Sequence, residues 1–226
     1  GHPRGKKSDA VVGDRVRWQP AGDEAVIEQV EPRRNLLFRQ DEVRTKSFAA
    51  NIDQVLMVVA GEPVFSESQL ARALIAAESA GIPARIVLNK CDLEGVTATA
   101  RERLRPYVAM GVDVIDIALK KQRDAAHATL TPLLQSKTSL VLGASGMGKS
   151  TLINLMAPGA DAQTAEISQA LASGRHTTTS TTLYWVDVAK TTALIDSPGF
   201  QSFGLNHITA ADLAGLMPDL RPHAGQ

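Results

Sequence analysis

Aromatic residues are scarce in this chain of 226 residues, at 4% of the total. Aliphatic side chains must therefore dominate any core, and an apolar fraction of 44% suffices to build one. Cysteine occurs once, as Cys91, which excludes an intrachain disulfide and fits a cytosolic compartment. No apolar run reaches the roughly 18 residues of a helical membrane span, and no signal peptide is visible. Net charge is lacking too, with 24 Lys and Arg against 24 Asp and Glu. Without a global positive excess, any contact with nucleic acid must come from a local patch. An initial methionine is missing; the chain opens Gly1-His2, as expected of a piece of a longer protein. Its length suits one large domain, or a medium domain with a small companion.

Residues 1–48 read as a small all-β module. Short alternating runs at 11–18, 24–30 and 36–39 are punctuated by Gly, Pro and Asp. These strands are too few to close a barrel, so its N-terminal part is expected to lie upstream. From residue 49 to 218 the rhythm becomes strand, helix, strand. Buried-type runs occur at 55–60, 85–88, 112–115, 139–142, 183–188 and 192–195, which predicts a six-stranded, mostly parallel sheet covered on both faces. Ser66 and Gln69 form a potential capping box, and Leu70, Ala73, Leu74 and Ala77 follow at helical spacing until Gly81 and Pro83. A second helix carries Leu130, Leu133 and Leu134, with His127 read as packing or surface. Residues 96–111 stay ambiguous, because Pro106 interrupts a helical pattern.

Three boxes carry the chemistry. Gly143, Ala144, Ser145, Gly146, Met147, Gly148, Lys149 and Ser150 match G-x-x-x-x-G-K-S/T between a strand and a helix beginning at Thr151. Its glycines let successive N–H groups curl around phosphate oxygens, and the helix N-terminus adds partial positive charge. Lys149 is expected to neutralise the β and γ phosphates and Ser150 to ligate magnesium. Asn89, Lys90, Cys91 and Asp92 end another strand. The Asp92 carboxylate can accept from guanine N1–H and its exocyclic amine, a donor pair that adenine lacks. Asn89 should brace the loop and the Lys90 stem can cover the base; Cys91 fills the variable position. Asp196, Ser197, Pro198 and Gly199 form a D-x-x-G box, with Asp196 expected near magnesium and the Gly199 N–H near the γ-phosphate. As a bare tetrapeptide it would read as a turn; at this distance downstream of the phosphate loop it reads as the box that senses the γ-phosphate.

Phe200 stands where many GTPases place a water-orienting glutamine. Arg175, His176, Thr177, Thr178 and Thr179 occupy the position of the first switch; one of the threonines, assigned as Thr178, should cap magnesium, and His176 is the polar candidate for positioning water. Only Ala118 in the segment 116–120 suits a backbone contact near the base. Arg4, Lys6, Lys7, Arg33, Arg34, Arg39, Arg44 and Lys46 are basic candidates for RNA contact, and Trp18 and Phe38 could stack on bases or belong to the core. The base box precedes the phosphate loop, the reverse of the usual order, which indicates a circularly permuted GTP-binding domain. The second switch then leads toward the C-terminus, so residues 199–217 are a candidate relay of the γ-phosphate state.

In this order the boxes resemble the circularly permuted ribosome-assembly GTPases, and most closely the ribosome small subunit-dependent GTPase A family. Residues 89–92, 143–150, 174–179 and 196–200 carry the resemblance, with 45–53 similar to the family's link between domains. It implies an OB-fold module ahead of the GTPase domain, GTP/GDP and Mg2+ as ligands, and the small ribosomal subunit with its rRNA as partner. It further implies hydrolysis stimulated by the subunit and linked to release, catalysis involving Lys149 and His176, and a cytoplasmic monomer away from membranes. The family's zinc module needs cysteines that residues 219–226 do not supply, so no zinc site is expected in this chain. Two other readings stay open: a GTP-gated rRNA-binding module with negligible hydrolysis of its own, and an adenine-using P-loop kinase or ATPase, against which Asp92 argues.

Overall fold

A computed structural model describes residues 2–3, 10–22, 24–40, 42, 45–160, 162, 181–198, 204–218 and 221. Its centre is a six-stranded sheet in the spatial order β10-β11-β9-β6-β7-β8. The strands are β6 (Gln54–Ala60), β7 (Ala84–Asn89), β8 (Val114–Asp116), β9 (Thr138–Leu142), β10 (Thr182–Trp185) and β11 (Ala193–Asp196). All neighbouring pairs are parallel except β10 with β11. Every residue of β6 is buried, as a continuous apolar run in a sheet covered on both faces requires. Ile52, Leu56, Met57, Ile86, Leu88, Leu104, Leu130, Leu134 and Leu140 are among the largest fully buried side chains, so the core is the aliphatic one that the aromatic shortage demands.

The helices are α1 (Glu67–Ser79), α2 (Glu94–Ala109), α3 (Arg123–Leu134), α4 (Lys149–Met156) and α5 (Ala210–Leu216). Ser66 caps α1 by accepting from the Gln69 N–H at 3.4 Å, and Gly81, at φ +66, reverses the chain after it. His127 is exposed on α3. The ambiguous stretch around Pro106 is the interior of α2. Pro106 lies on the exposed face, where water can satisfy the carbonyl that its missing N–H leaves free.

Two small sheets precede the large one. β1 (His2–Pro3), β3 (Glu24–Val30) and β2 (Val16–Ala21) form one in that spatial order; β4 (Leu36–Gln40) and β5 (Thr45–Ala50) form the other. The arrangement is consistent with part of an OB fold. Residues 11–15 are a turn rather than strand, because Asp14 accepts from the Val11 N–H at 2.8 Å and Gly13 has φ +91. Turn chemistry overrides the β-branched pair there. The linking segment 45–50 is itself a strand, antiparallel to β4, with Phe48, Ala49 and Ala50 buried. Residues 204–206 return to this module: Gln40 donates to the Gly204 carbonyl at 3.1 Å and accepts from Asn206 at 3.0 Å.

From β6 the chain moves outward to β7 and β8, whereas β9 is flanked on its other side by β11. A crevice therefore opens at the carboxyl ends of β6 and β9, the place where open parallel sheets bind ligands. β7, which ends in the base box, lies one strand from β9, which leads into the phosphate loop. Permutation has changed the order of these strands in the chain and left them within reach of one crevice.

Candidate functional site

Residues 143–148 join β9 to α4 and pass close to other segments of the chain. A Cβ on Gly143, at φ +152, would collide with the Val58 carbonyl of β6. One on Gly148, at φ +107, would collide with Nδ2 of Asn89. Glycine is required at both positions by packing as well as by backbone conformation. Gly148 is also the N-cap of α4 and supplies no capping side chain. The first N–H groups of that helix are thus left for another acceptor, a suitable arrangement for an anion.

Asn89 connects this loop to the base box. It is 4% exposed. Its Nδ2 donates to the Met147 carbonyl at 2.9 Å, and its Oδ1 accepts from the Leu119 N–H at 3.1 Å. The loop after β8 is stitched to the same place, since Ile117 N–H donates to Leu88 and Cys91 N–H donates to Ile117, at 2.9 and 3.1 Å. Ala118 is buried in that loop. Cys91 packs there as a small apolar group, with Sγ 3.2 Å from the Leu88 carbonyl; burial first, and Asp116 next, push its thiol pKa up. Asp92 is exposed. Lys90 has φ +65, and its Nζ donates to the Glu62 carbonyl at 2.7 Å.

Lys149 and Asp196 bring opposite charges to the phosphate side. Lys149 donates to the Ala144 carbonyl at 3.2 Å. Burial lowers its pKa, and the nearby Asp196 carboxylate opposes that shift. Burial raises the pKa of Asp196, and Lys149 opposes in turn. Asp196 ends β11 beside β9 and is 2% exposed, and its Oδ1 has no hydrogen-bond partner among the described residues. An unsatisfied buried carboxylate oxygen is costly unless a ligand claims it. Together with the half-buried Ser150 at the start of α4, it fits magnesium, which takes one or two protein oxygens and completes its shell with phosphates and water.

The structure thus gathers Asn89, Lys90, Cys91, Gly143, Ala144, Gly146, Met147, Gly148, Lys149, Ser150 and Asp196 around one crevice, with Ser145 exposed on the loop and Thr151 in the first turn of α4. His176, Thr177, Thr178, Thr179, Gly199 and Phe200 lie outside the described residues. Leu119, Glu62 and Pro63 are participants that sequence reasoning missed. Two of them act through backbone groups, for which no residue type is diagnostic. Among the basic candidates, Arg33 pairs with Asp14 and Arg34 with Asp53, at 2.8 and 2.7 Å. Arg33 therefore holds the module's own structure, and Arg34 ties the module to residues 51–53. Phe38 packs on the His207 ring, with centroids 4.4 Å apart, whereas Trp18 is 57% exposed. Arg4, Lys6, Lys7 and Arg44 lie outside the described residues.

Comparison with known proteins bears on the family and the fold. A family model described as RsgA GTPase matches residues 30–206. A small ribosomal subunit biogenesis GTPase RsgA of Variovorax paradoxus (strain S110) is 64% identical over 223 residues, covering 99% of this chain and 70% of the relative. The protein of the same name from Burkholderia pseudomallei (strain 668) is 53% identical over 221 residues, covering 97% and 70%. Among solved structures, YjeQ from Thermotoga maritima superposes with a TM-score of 0.67 at 28% identity, covering 95% of this chain and 71% of that one. YloQ, described as a circularly permuted GTPase, gives 0.65 at 27% identity and covers 97% and 67%.

Proposed function

The chain belongs to the RsgA GTPase family, and from that premise we propose that it hydrolyses GTP while bound to the small ribosomal subunit, late in the subunit's maturation, with hydrolysis linked to release. The observation that carries the nucleotide part is Asn89, whose amide ties the base box to the phosphate loop. Two segments 50 residues apart in sequence then serve one ligand. In this reading Asp92 selects guanine and the Lys90 stem covers the ring. The amides of residues 143–151 grip the phosphates, and Gly199 meets the γ-phosphate. Lys149 stabilises the charge that develops on the transferred phosphoryl group.

Ser150 and Asp196, joined by Thr178, are the residues that would hold magnesium. The ion would supply charge neutralisation between the β and γ phosphates. His176 is assigned to hold the attacking water in line, since the side chain of Phe200 has no hydrogen-bonding atom for that task. Residues 1–48 serve as the subunit-binding module, 49–218 as the GTPase domain and 219–226 as the start of an extension. Trp18 beside the exposed Arg15 and Arg17 offers a local surface suited to rRNA. Residues 204–207, which follow the D-x-x-G box, meet β4 of this module at Gln40 and Phe38. That contact supports passing the γ-phosphate state toward the N-terminal module. The protein is further read as a cytoplasmic monomer; among the described residues no helix is long and apolar enough to cross a membrane.

The deciding experiment is GTP turnover titrated with small ribosomal subunits. Turnover should rise with subunit concentration, and Lys149→Ala should abolish it through lost phosphate stabilisation. Turnover that ignores the subunits would refute the proposal, as would a Lys149→Ala protein of normal rate. The second reading, a GTP-gated rRNA-binding module with negligible hydrolysis, is favoured by Phe200. It predicts GTP-dependent subunit binding with no stimulated turnover.

A further inference from the structure

The turn from Gly61 to Phe65, between β6 and α1, carries none of the nucleotide-binding motifs. It nevertheless touches both halves of the crevice. On one side the Glu62 carbonyl accepts from Lys90 Nζ at 2.7 Å. On the other, the Pro63 ring faces the phosphate loop, with Cγ 3.3 Å and Cδ 3.5 Å from where a Cβ on Gly146 would stand. The turn is itself fixed at both ends. A Cβ on Gly61 would come within 2.5 Å of the Val96 carbonyl, so that end lies hard against α2. At the other end Phe65 is buried, Arg103 lies 4.4 Å above its ring, and Arg103 Nη2 donates to the Phe65 carbonyl at 3.0 Å.

Lys90 is pinned from both directions. Its backbone sits at φ +65, unfavourable for a residue with a Cβ. Its carbonyl accepts from the Leu93 N–H at 3.0 Å and from Thr97 Oγ1 at 3.3 Å. With Nζ held by Glu62 as well, the four-carbon stem is stretched between the base box and the turn. A free lysine would have to give up that mobility when a base arrives; this one has already done so.

We propose that the Gly61–Phe65 turn is a strut of the nucleotide pocket, in which Pro63 is a positioning residue. It sets the phosphate loop at Gly146 and, through the neighbouring Glu62 carbonyl, holds Lys90 extended where the purine lies. The inference rests on the nucleotide-binding reading above and adds to it a segment that touches no substrate-recognising motif in sequence. Pro63 acts on the ligand only through Lys90 and Gly146, so its loss should alter binding more than chemistry.

The test measures GDP affinity with a fluorescent GDP analogue, and the steady-state constants for GTP, on the full chain. Pro63→Gly and Lys90→Met are compared with the doubly substituted protein; Lys90→Met keeps most of the stem and removes the donor. Each single substitution should weaken GDP binding by about threefold to tenfold, the scale expected when one flexible side chain loses its prior ordering. KM for GTP should rise by a similar factor while kcat moves less than about twofold. The double variant should be little worse than the worse single one, because both changes release the same strut. Fully multiplicative losses, or unchanged affinity in Pro63→Gly with a normal unfolding midpoint, would overturn the proposal. If Pro63→Gly does not fold, Lys90→Met against Lys90→Ala decides: an anchored stem requires both to weaken binding, and wild-type affinity in Lys90→Met would refute it. A wild-type chain that fails to bind GDP would bring down the nucleotide reading and this one together. Normal wild-type binding with inert variants would bring down the strut alone.

Discussion

Replacing Asn89 with Ala leaves two buried backbone groups without their partner, the Met147 carbonyl and the Leu119 N–H. Each orphaned group costs about 1–3 kcal/mol. The same change unties three loops that meet at the crevice. Asn89→Ala should therefore lower the unfolding midpoint in denaturant and weaken guanine-nucleotide binding together; a variant that lost neither would show that the clamp is incidental. Asp196 supports a different prediction. Its buried Oδ1 has no partner among the described residues, which suits a cation that arrives with the nucleotide. Asp196→Asn keeps the shape and removes the charge. The dependence of GTP affinity on magnesium concentration, measured by titration, should flatten in that variant. An unchanged magnesium dependence would move the metal elsewhere.

At the level of single elements, the hairpin between β10 and β11 depends on one carboxylate. Asp187 accepts from the Thr191 N–H, the Thr191 hydroxyl and the Thr192 N–H, at 2.9, 3.0 and 2.7 Å. Hydrogen bonds from Thr191, then from Thr192, hold its pKa below the usual carboxylate value. A depressed folded-state pKa means that the native state binds this proton less readily than the unfolded chain does. The stabilisation is complete above the unfolded-state pKa and is lost as pH falls through the lower folded one. Thermal midpoints measured downward from neutrality should lose this component in the acid range, and Asp187→Ala should lack it throughout. Identical pH profiles for the two proteins would refute the assignment. The turn explains why a strand read from sequence as 183–188 ends at Trp185: the capping acid lies inside the apolar run, and its local bonding prevails over β propensity. In α2 the opposite occurs, and a proline within the helix is tolerated because its face is solvated.

Across the whole molecule, the N-terminal module is tied to the rest at several places among the described residues, Arg34 to Asp53 and Asn35 to Ile52 included. The chain is continuous through β5 into β6, and residues 204–206 return to the end of β4, where Asn206 donates to the Gln40 carbonyl at 3.0 Å. Asn206→Pro removes that donor, within the turn that the Ile208 N–H closes on the Leu205 carbonyl. It should lower overall stability by about 1 kcal/mol, read as an earlier urea midpoint; an unaltered midpoint would mean that this hydrogen bond contributes nothing. Arg221 adds a surface link by donating to Glu78 at the end of α1, at 2.6 Å.

The sequence was explicit wherever chemistry is local. Apolar runs announced the strands of the large sheet, Ser66 and Gly81 marked the ends of a helix, and residues 89–92 and 143–150 formed motifs recognisable from their residue types and spacing. These signals needed no knowledge of neighbours, and together they determined an α/β nucleotide-binding fold with its connectivity permuted. Only the tertiary structure decided which backbone groups meet. That Gly148 is required by Asn89, that Glu62 holds Lys90, and that residues 204–206 bond to the end of β4 depend on contacts between segments distant in the chain. The reason is physical: parallel strands bring their carboxyl ends to one edge of a sheet whatever their order in the chain. A carbonyl placed there by packing leaves no trace in the identity of the residue that bears it.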